Sequence, residues 1–230
     1  MVEAKAIAIQ IASKHPFLGS VGALIVKKPV GIVLLGLCLE TSKYTSTSFY
    51  VSWVVIPLCS PTKSLYFQNF GNLNISPYHT WRLAPPSGGS WDLSDTKNIE
   101  ELNYRVETQI YPVWQKLEKI DHLIAFLEST QAYNNDQRLG ILECIIYLAF
   151  MKGDKLQCLA NIQKFRLTVD SCRNMMVSQM YANEYYTAMR KRVDTVSDLI
   201  EEGDDESIGQ LIKEWTKFSV ANLKIGKFVQ

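Results

Sequence analysis

Three histidines, His15, His79 and His122, stand apart from one another in the 230 residues, and neither C-x-x-C nor H-E-x-x-H occurs. A metal site needs convergent His, Cys, Asp or Glu, so the sequence offers no metal centre. Nucleophilic catalysis needs a Ser or Cys beside a base and an orienting acid. The G-x-S-x-G elbow is absent, and Gly88-Gly89-Ser90 reads as a flexible loop. The phosphate-cradling patterns G-x-x-x-x-G-K-S/T and G-x-G-x-x-G are missing as well, so no nucleotide or other cofactor is expected. What remains is a dispersed cluster near residues 79–92. In it His79 and Asp92 are the candidate catalytic pair, and Arg82 and Trp91 the candidate binding residues.

A second constellation is Arg190-Lys191-Arg192, preceded by Tyr181, Tyr185 and Tyr186. Cations beside aromatic rings can bind phosphate and stack bases, which makes RNA or DNA a candidate partner. Adjacent residues point in different directions around a helix, however, and Glu184 and Asp194 dilute the field. Asp92 and Asp95 flank a turn where an Asp or Ser94 caps the next helix, with Asp95, Glu100 and Glu101 near its positive end. Glu201, Glu202, Asp204, Asp205 and Glu206 form an acidic run without the spacing of a calcium loop, and it reads as a solvated turn. The tryptophans at 53, 81, 91, 114 and 215 either fill the core or line a groove with Tyr78 and Arg82. Cys38, Cys59, Cys144, Cys158 and Cys172 are odd in number and set among apolar residues, as expected of reduced core thiols in the cytoplasm.

Composition limits what these residues can serve. A chain with 47% hydrophobic and 20% charged residues is globular, not disordered or fibrous. Its net charge of +1 supplies no long-range field for nucleic acid or an acidic membrane. The charge is unevenly placed. Up to Ser90 seven basic residues oppose two acidic ones, a balance of +5; from Trp91 onward the balance is −4. The first 90 residues thus hold 9 of the 47 charges, too few to coat a free-standing domain. Either the chain's own C-terminal helices or a second subunit is expected to cover them. The start of the chain lacks the pattern of a secretory signal, and the longest apolar run, 32–39, is shorter than a membrane span; no membrane association is expected.

The elements follow from period. Ala4, Ile7, Ala8 and Ile11 predict a short helix ending before Pro16. Residues 23–26, 30–40, 49–58 and 65–70 predict strands, joined at Lys28-Pro29 and through the polar stretch 41–48 into an antiparallel meander whose two faces both want cover. After a loop rich in Pro and Gly the period turns helical. Ile99, Leu102, Val106 and Ile110 precede Pro112; Asp121 starts Leu123, Ile124 and Leu127; Leu139, Leu142, Ile146, Tyr147 and Phe150 run to Gly153. Leu156, Leu159 and Ile162 restart from Asp154, a long helix spans 169–200, and Ile208, Leu211, Ile212, Trp215 and Ser219 form the last stripe. Phe150-Met151-Lys152-Gly153-Asp154 and Ile200-Glu201-Glu202-Gly203-Asp204 echo each other, but the spacing and signature of a tetratricopeptide array are missing. The fold expected is α+β: an N-terminal helix and a three- or four-stranded antiparallel sheet (1–90), followed by antiparallel helical hairpins (91–230), packed as one unit.

The order of a short helix, a meander containing 49-FYVSWVV-55, a loop closing on Trp91-Asp92-Leu93, and helices through 111-YPVW-114 and Leu123–Leu127 resembles an uncharacterised bacterial family defined as a domain of unknown function, over residues 1–130. The resemblance implies a bacterial cytoplasmic protein with a role in toxin immunity or phage defence, and no reaction. With no catalytic signature and two oppositely charged segments, the leading expectation is a non-catalytic protein that binds a protein partner or a second copy of itself. The alternatives are an enzyme with its site near residues 79–92, and a nucleic-acid binder acting through residues 190–192.

Overall fold

The computed structural model describes residues 4–41, 47–62, 79–86, 88–92, 95–130, 135–176 and 180–229, with side chains described except at 53, 79–82, 135–137, 172–176 and 180–185. The chain is α+β and divides into two compact units. One comprises residues 1–57, 79–119 and 224–230; the other comprises 58–78 and 120–223. These boundaries cross the division at Ser90, because the first helices after the sheet belong to the sheet's unit.

In the sheet unit, α1 (Ala4–Ser13) buries Ile7, Ala8, Ile11 and Ala12 and packs on the first strands. The strands are β1 (Leu18–Val21), β2 (Leu24–Lys27), β3 (Val33–Thr41), β4 (Ser48–Pro57), β5 (His79–Leu83) and β6 (Trp91–Asp92). All pairs are antiparallel, in the order β1-β2-β3-β4-β5, with β6 beside β5 on the same edge of β4. The sheet therefore has six strands where the sequence reading counts three or four. The additional ones are β1, β5 and β6, each five residues or fewer and too short to carry a period; the expected strand at 65–70 lies outside the described residues. Leu34, Leu35, Val54, Val55 and Ile56 are all buried, so both faces of the long central strands are covered.

Next come α2 (Thr96–Arg105), a π-helical turn (Val106–Ile110) and α3 (Tyr111–Leu117). Ile99, Leu102, Val106 and Ile110 form the buried stripe that the sequence predicts. The π turn falls just ahead of Pro112, which has no N–H and crowds the carbonyl four residues back. Widening to a Tyr111 N–H to Val106 carbonyl bond accommodates it. The helix cap is Asp95, whose carboxylate accepts the Lys97 N–H; Ser94 lies outside the described residues. The end of the chain returns to this unit: the Val30 N–H donates to the Phe228 carbonyl and Val30 bridges Val229.

The helical unit contains α4 (Ile120–Ser129), α5 (Asn135–Lys152), α6 (Lys155–Met176), α7 (Met180–Glu202) and α8 (Asp205–Asn222). Residues 140–149 of α5 are buried on every side, with α4, α6 and α7 packed against it. A helix apolar all round belongs in a core. α6 runs through Val169 to Met176, so the expected long helix over 169–200 is two helices. The stripe expected on α6 is also divided. Cys158, Ile162, Phe165 and Val169 form its buried face, whereas Leu156, Leu159 and Leu167 lie on the other side and are exposed.

The hairpins α5–α6 and α7–α8 close with one device used twice. Gly153 (φ +83°) and Gly203 (φ +76°) take the left-handed conformation after the helix end. The following Asp154 and Asp204 N–H groups donate to the carbonyls of Ala149 and Leu199. Each Asp then caps the next helix, accepting the N–H of Gln157 or Ser207. A Lys155–Asp205 ion pair at 2.8 Å joins the two turns. The hydroxyl and N–H of Ser207 hold the Asp204 carboxyl below its ordinary range. A carboxyl lowered on folding stabilises above its unfolded pKa, and that contribution is lost as pH falls through the folded value. The stability gap between wild type and Asp204→Ala is expected to be full near about pH 6 and to close below the ordinary carboxylate range. Thermal melts across pH check this; a gap independent of pH contradicts it.

Candidate functional site

The residues that could do chemistry gather in the helical unit around one carboxylate that the sequence reading does not single out. Glu143 sits midway along the buried stretch of α5 with its side chain fully buried. Three donors converge on it: Ser60 Oγ at 2.8 Å on one oxygen, and Tyr147 Oη at 2.9 Å and Arg192 Nε at 2.7 Å on the other. Ser60 comes from the segment that follows β4, Tyr147 from the next turn of α5, and Arg192 from α7. The Ser60 carbonyl accepts from Ser219 Oγ of α8 at 3.1 Å, and Ser219 Oγ accepts the Thr62 N–H at 3.0 Å. The Tyr147 ring packs against Trp215 with centroids 4.8 Å apart. Burial, then the neighbouring Glu143 charge, pushes the Tyr147 hydroxyl well above its ordinary range, so it stays a donor. Cys59 and Cys144 lie beside the same carboxylate. Burial first, then charge, pushes Cys59 up to about 12 and Cys144 well above its ordinary value, which leaves both as neutral thiols.

A serine hydroxyl on a carboxylate is also the first half of a nucleophile–base pair. Here the pair faces inward: Ser60 is 2% exposed, and Arg192 neutralises the carboxylate that would act as base. Ser60 Oγ is thus turned away from solvent, and the network joins helices.

The sheet unit holds a second polar cluster. His15 Nε2 meets Asn103 Oδ1 at 2.8 Å and its Nδ1 meets Glu107 Oε1 at 3.1 Å; the Asn103 amide is fixed by donation to the Ile99 carbonyl. Lys27, buried on β2, pairs with Glu118 beyond α3, and Phe17 stacks on Tyr111 at 4.0 Å. Two buried basic residues on the sheet side thus find their acids on the segment running from α2 through α3. Among the described residues no three His, Cys, Asp or Glu converge on one point.

No family model matches the chain, and no curated protein or solved structure matches it either.

The residues that the sequence offers as sites are placed as follows. His79 pairs with Val55 and Asp92 with Ser48, seven positions apart along β4. At the rise of a strand that is roughly 23 Å, so the two do not form one catalytic site. Arg82 stands opposite Ser52 on β5; the side chains of His79 and Arg82 lie outside the described residues. Trp91 is 1% exposed, donates from Nε1 to the Leu83 carbonyl and carries the Arg105 guanidinium over its ring, so it fills core and presents no face to a ligand. In the basic triplet, Arg190 reaches Asp194, Arg192 is held by Glu143, and Lys191 is exposed. Of the preceding tyrosines, Tyr186 is buried, and the side chains of Tyr181 and Tyr185 lie outside the described residues. The acidic run 201–206 is the α7–α8 turn, with Asp204 as cap and Asp205 paired to Lys155.

Glu143 could have been found from sequence, because it is the one charge in the run from Leu139 to Phe150, and a lone charge in an apolar helix must find a partner. Arg192→Met leaves that carboxylate buried without its cation and is expected to cost about 3–5 kcal/mol. The double variant Arg192→Met/Glu143→Gln removes both charges and is expected to be more stable than Arg192→Met alone. Urea denaturation decides; a double variant at least as unstable as Arg192→Met would show that the ion pair does not matter.

Proposed function

We propose that this chain is a non-catalytic protein that acts by binding another protein chain. The observation that carries this reading is the outward face of α6. Leu156 is 83% exposed, Leu167 64% and Leu159 39%, while the opposite face of the same helix is buried. With Ala160 between them, and with Gln163 interrupting the apolar residues, they line one side of the helix, about 16 Å from Leu156 to Leu167. Single exposed leucines are ordinary, but an aligned set on a core-packed helix is the form a docking face takes.

Binding of RNA or DNA through residues 190–192 has less support, because Arg190 and Arg192 are engaged by Asp194 and Glu143. Location in the cytoplasm is supported by the buried free thiols of Cys38, Cys59, Cys144 and Cys158, which suit a reducing compartment. No helix among the described residues is long and apolar enough to cross a membrane. A role in bacterial toxin immunity or phage defence rests on the resemblance over residues 1–130 alone.

The test is capture from the native host by tagged wild type and by Leu156→Glu/Leu167→Glu, with a differently tagged second copy also present. Wild type is expected to retain a stoichiometric protein, and the double variant to lose it by tenfold or more. Equal recovery by both, or no recovery by wild type, would overturn the reading.

A further inference from the structure

A cleft on the helical unit carries a charge pattern that neither the Glu143 network nor the exposed leucines of α6 use. We infer that it binds a small molecule with a carboxylate at one end, an ammonium at the other and an apolar chain between them. The cleft lies between α4 and α6 over α5 and holds about 350 Å³, at the lower end of the range of small-ligand sites. Its floor is apolar: Ile141 and Ile145 of α5, one turn apart, with Leu127 of α4, all three buried. The polar groups on its walls are sorted by end. Because α5 and α6 run antiparallel from the turn at Gly153, Asn161 lies level with Ile145, and Arg138 and Lys164 lie farther from the turn. Gln157, one turn before Asn161, donates from Nε2 to Glu128 at 3.3 Å, which keeps Glu128 at the Asn161 end.

The two ends differ in chemistry. Away from the turn, Arg138 and Lys164 are exposed cations, and neither forms an ion pair among the described residues. Near the turn the open groups are acceptors. The Glu128 carboxylate has the neutral Gln157 amide, and no cation, as its partner among the described residues. Asn161 is 3% exposed and donates from Nδ2 to the Gln157 carbonyl at 2.8 Å, which leaves Oδ1 without a donor among the described residues. Buried polar atoms are ordinarily paired, so a ligand N–H completes this one. An ammonium supplies three donors, enough for Glu128 and Asn161 together, and the planar Arg138 fork takes a carboxylate through two parallel bonds. Arg138 and Ile145 are seven positions apart, about 10 Å along α5, which sets the length of the chain between the two charges. A ligand with the same charge at both ends would find one of them opposed.

The experiment is a titration of the methyl-labelled full chain with 8-aminooctanoate, followed by NMR at the methyls of Leu127, Ile141 and Ile145, in low salt so that the charges are not screened. Saturable shifts at these methyls are expected, with a dissociation constant of about 0.1 to 5 mM for a ligand of this size on an open cleft. Octanoate and octylamine each keep one charge, and each is expected to bind at least about threefold more weakly for want of one exposed ion pair. Glu128→Gln is expected to weaken 8-aminooctanoate and octylamine and to leave octanoate unchanged. Arg138→Gln is expected to weaken 8-aminooctanoate and octanoate and to leave octylamine unchanged. Both positions are exposed, and the comparison of the three compounds on wild type needs no variant. Shifts that do not saturate by about 20 mM overturn the inference. So do floor methyls that stay still, equal binding of the three compounds by wild type, or variants that weaken all three alike.

Discussion

A carboxylate placed at the centre of a helix that is apolar on all sides is the constraint from which the helical unit is built. Removing the charge of Glu143 from water costs several kcal/mol, and folding offsets that only where a cation and hydrogen-bond donors meet it with good geometry. Ser60, Tyr147 and Arg192 do so within 2.9 Å. Two of the three come from outside α5, and Ser60 is itself tied to Ser219 of α8. Satisfying one side chain therefore fixes the segment after β4, α5, α7 and α8 relative to one another.

The functional reading follows from how the polar groups are used. Ser60 with Glu143, and His15 with Asn103 and Glu107, include the residue types an enzyme needs, yet each set is engaged internally, and all but the exposed Glu107 are buried. Of the cations proposed for nucleic acid, Arg192 and Arg190 are engaged by Glu143 and Asp194, while Lys191 is exposed. Among the described residues, an organised set facing water is apolar: Leu156, Leu159 and Leu167 on α6. A protein surface recognises another protein with that kind of face.

The fold class, the caps and the breaks were legible because they rest on local chemistry. Pro112, Gly153 and Gly203 act where their backbone preferences require, and the buried stripe from Ile99 to Ile110 follows from helical period. Three things were not legible. Strands as short as β1, β5 and β6 carry no period of their own and exist because β4 and β2 offer them an edge. The two apolar lines of α6 look alike in one dimension, and only packing decides which is buried. The separation of His79 from Asp92 along β4 is a matter of register, which sequence proximity concealed. Glu143 was visible as a lone charge, whereas its partners Ser60 and Arg192 lie 83 and 49 residues away.

The most direct measurement of the central claim is native-state hydrogen exchange in wild type and in Arg192→Ala. If one carboxylate holds the unit together, the amides of α5, α7 and α8 lose protection together and by similar factors when its cation is removed. Faster exchange confined to the part of α7 around residue 192, with α5 and α8 unchanged, would contradict the account.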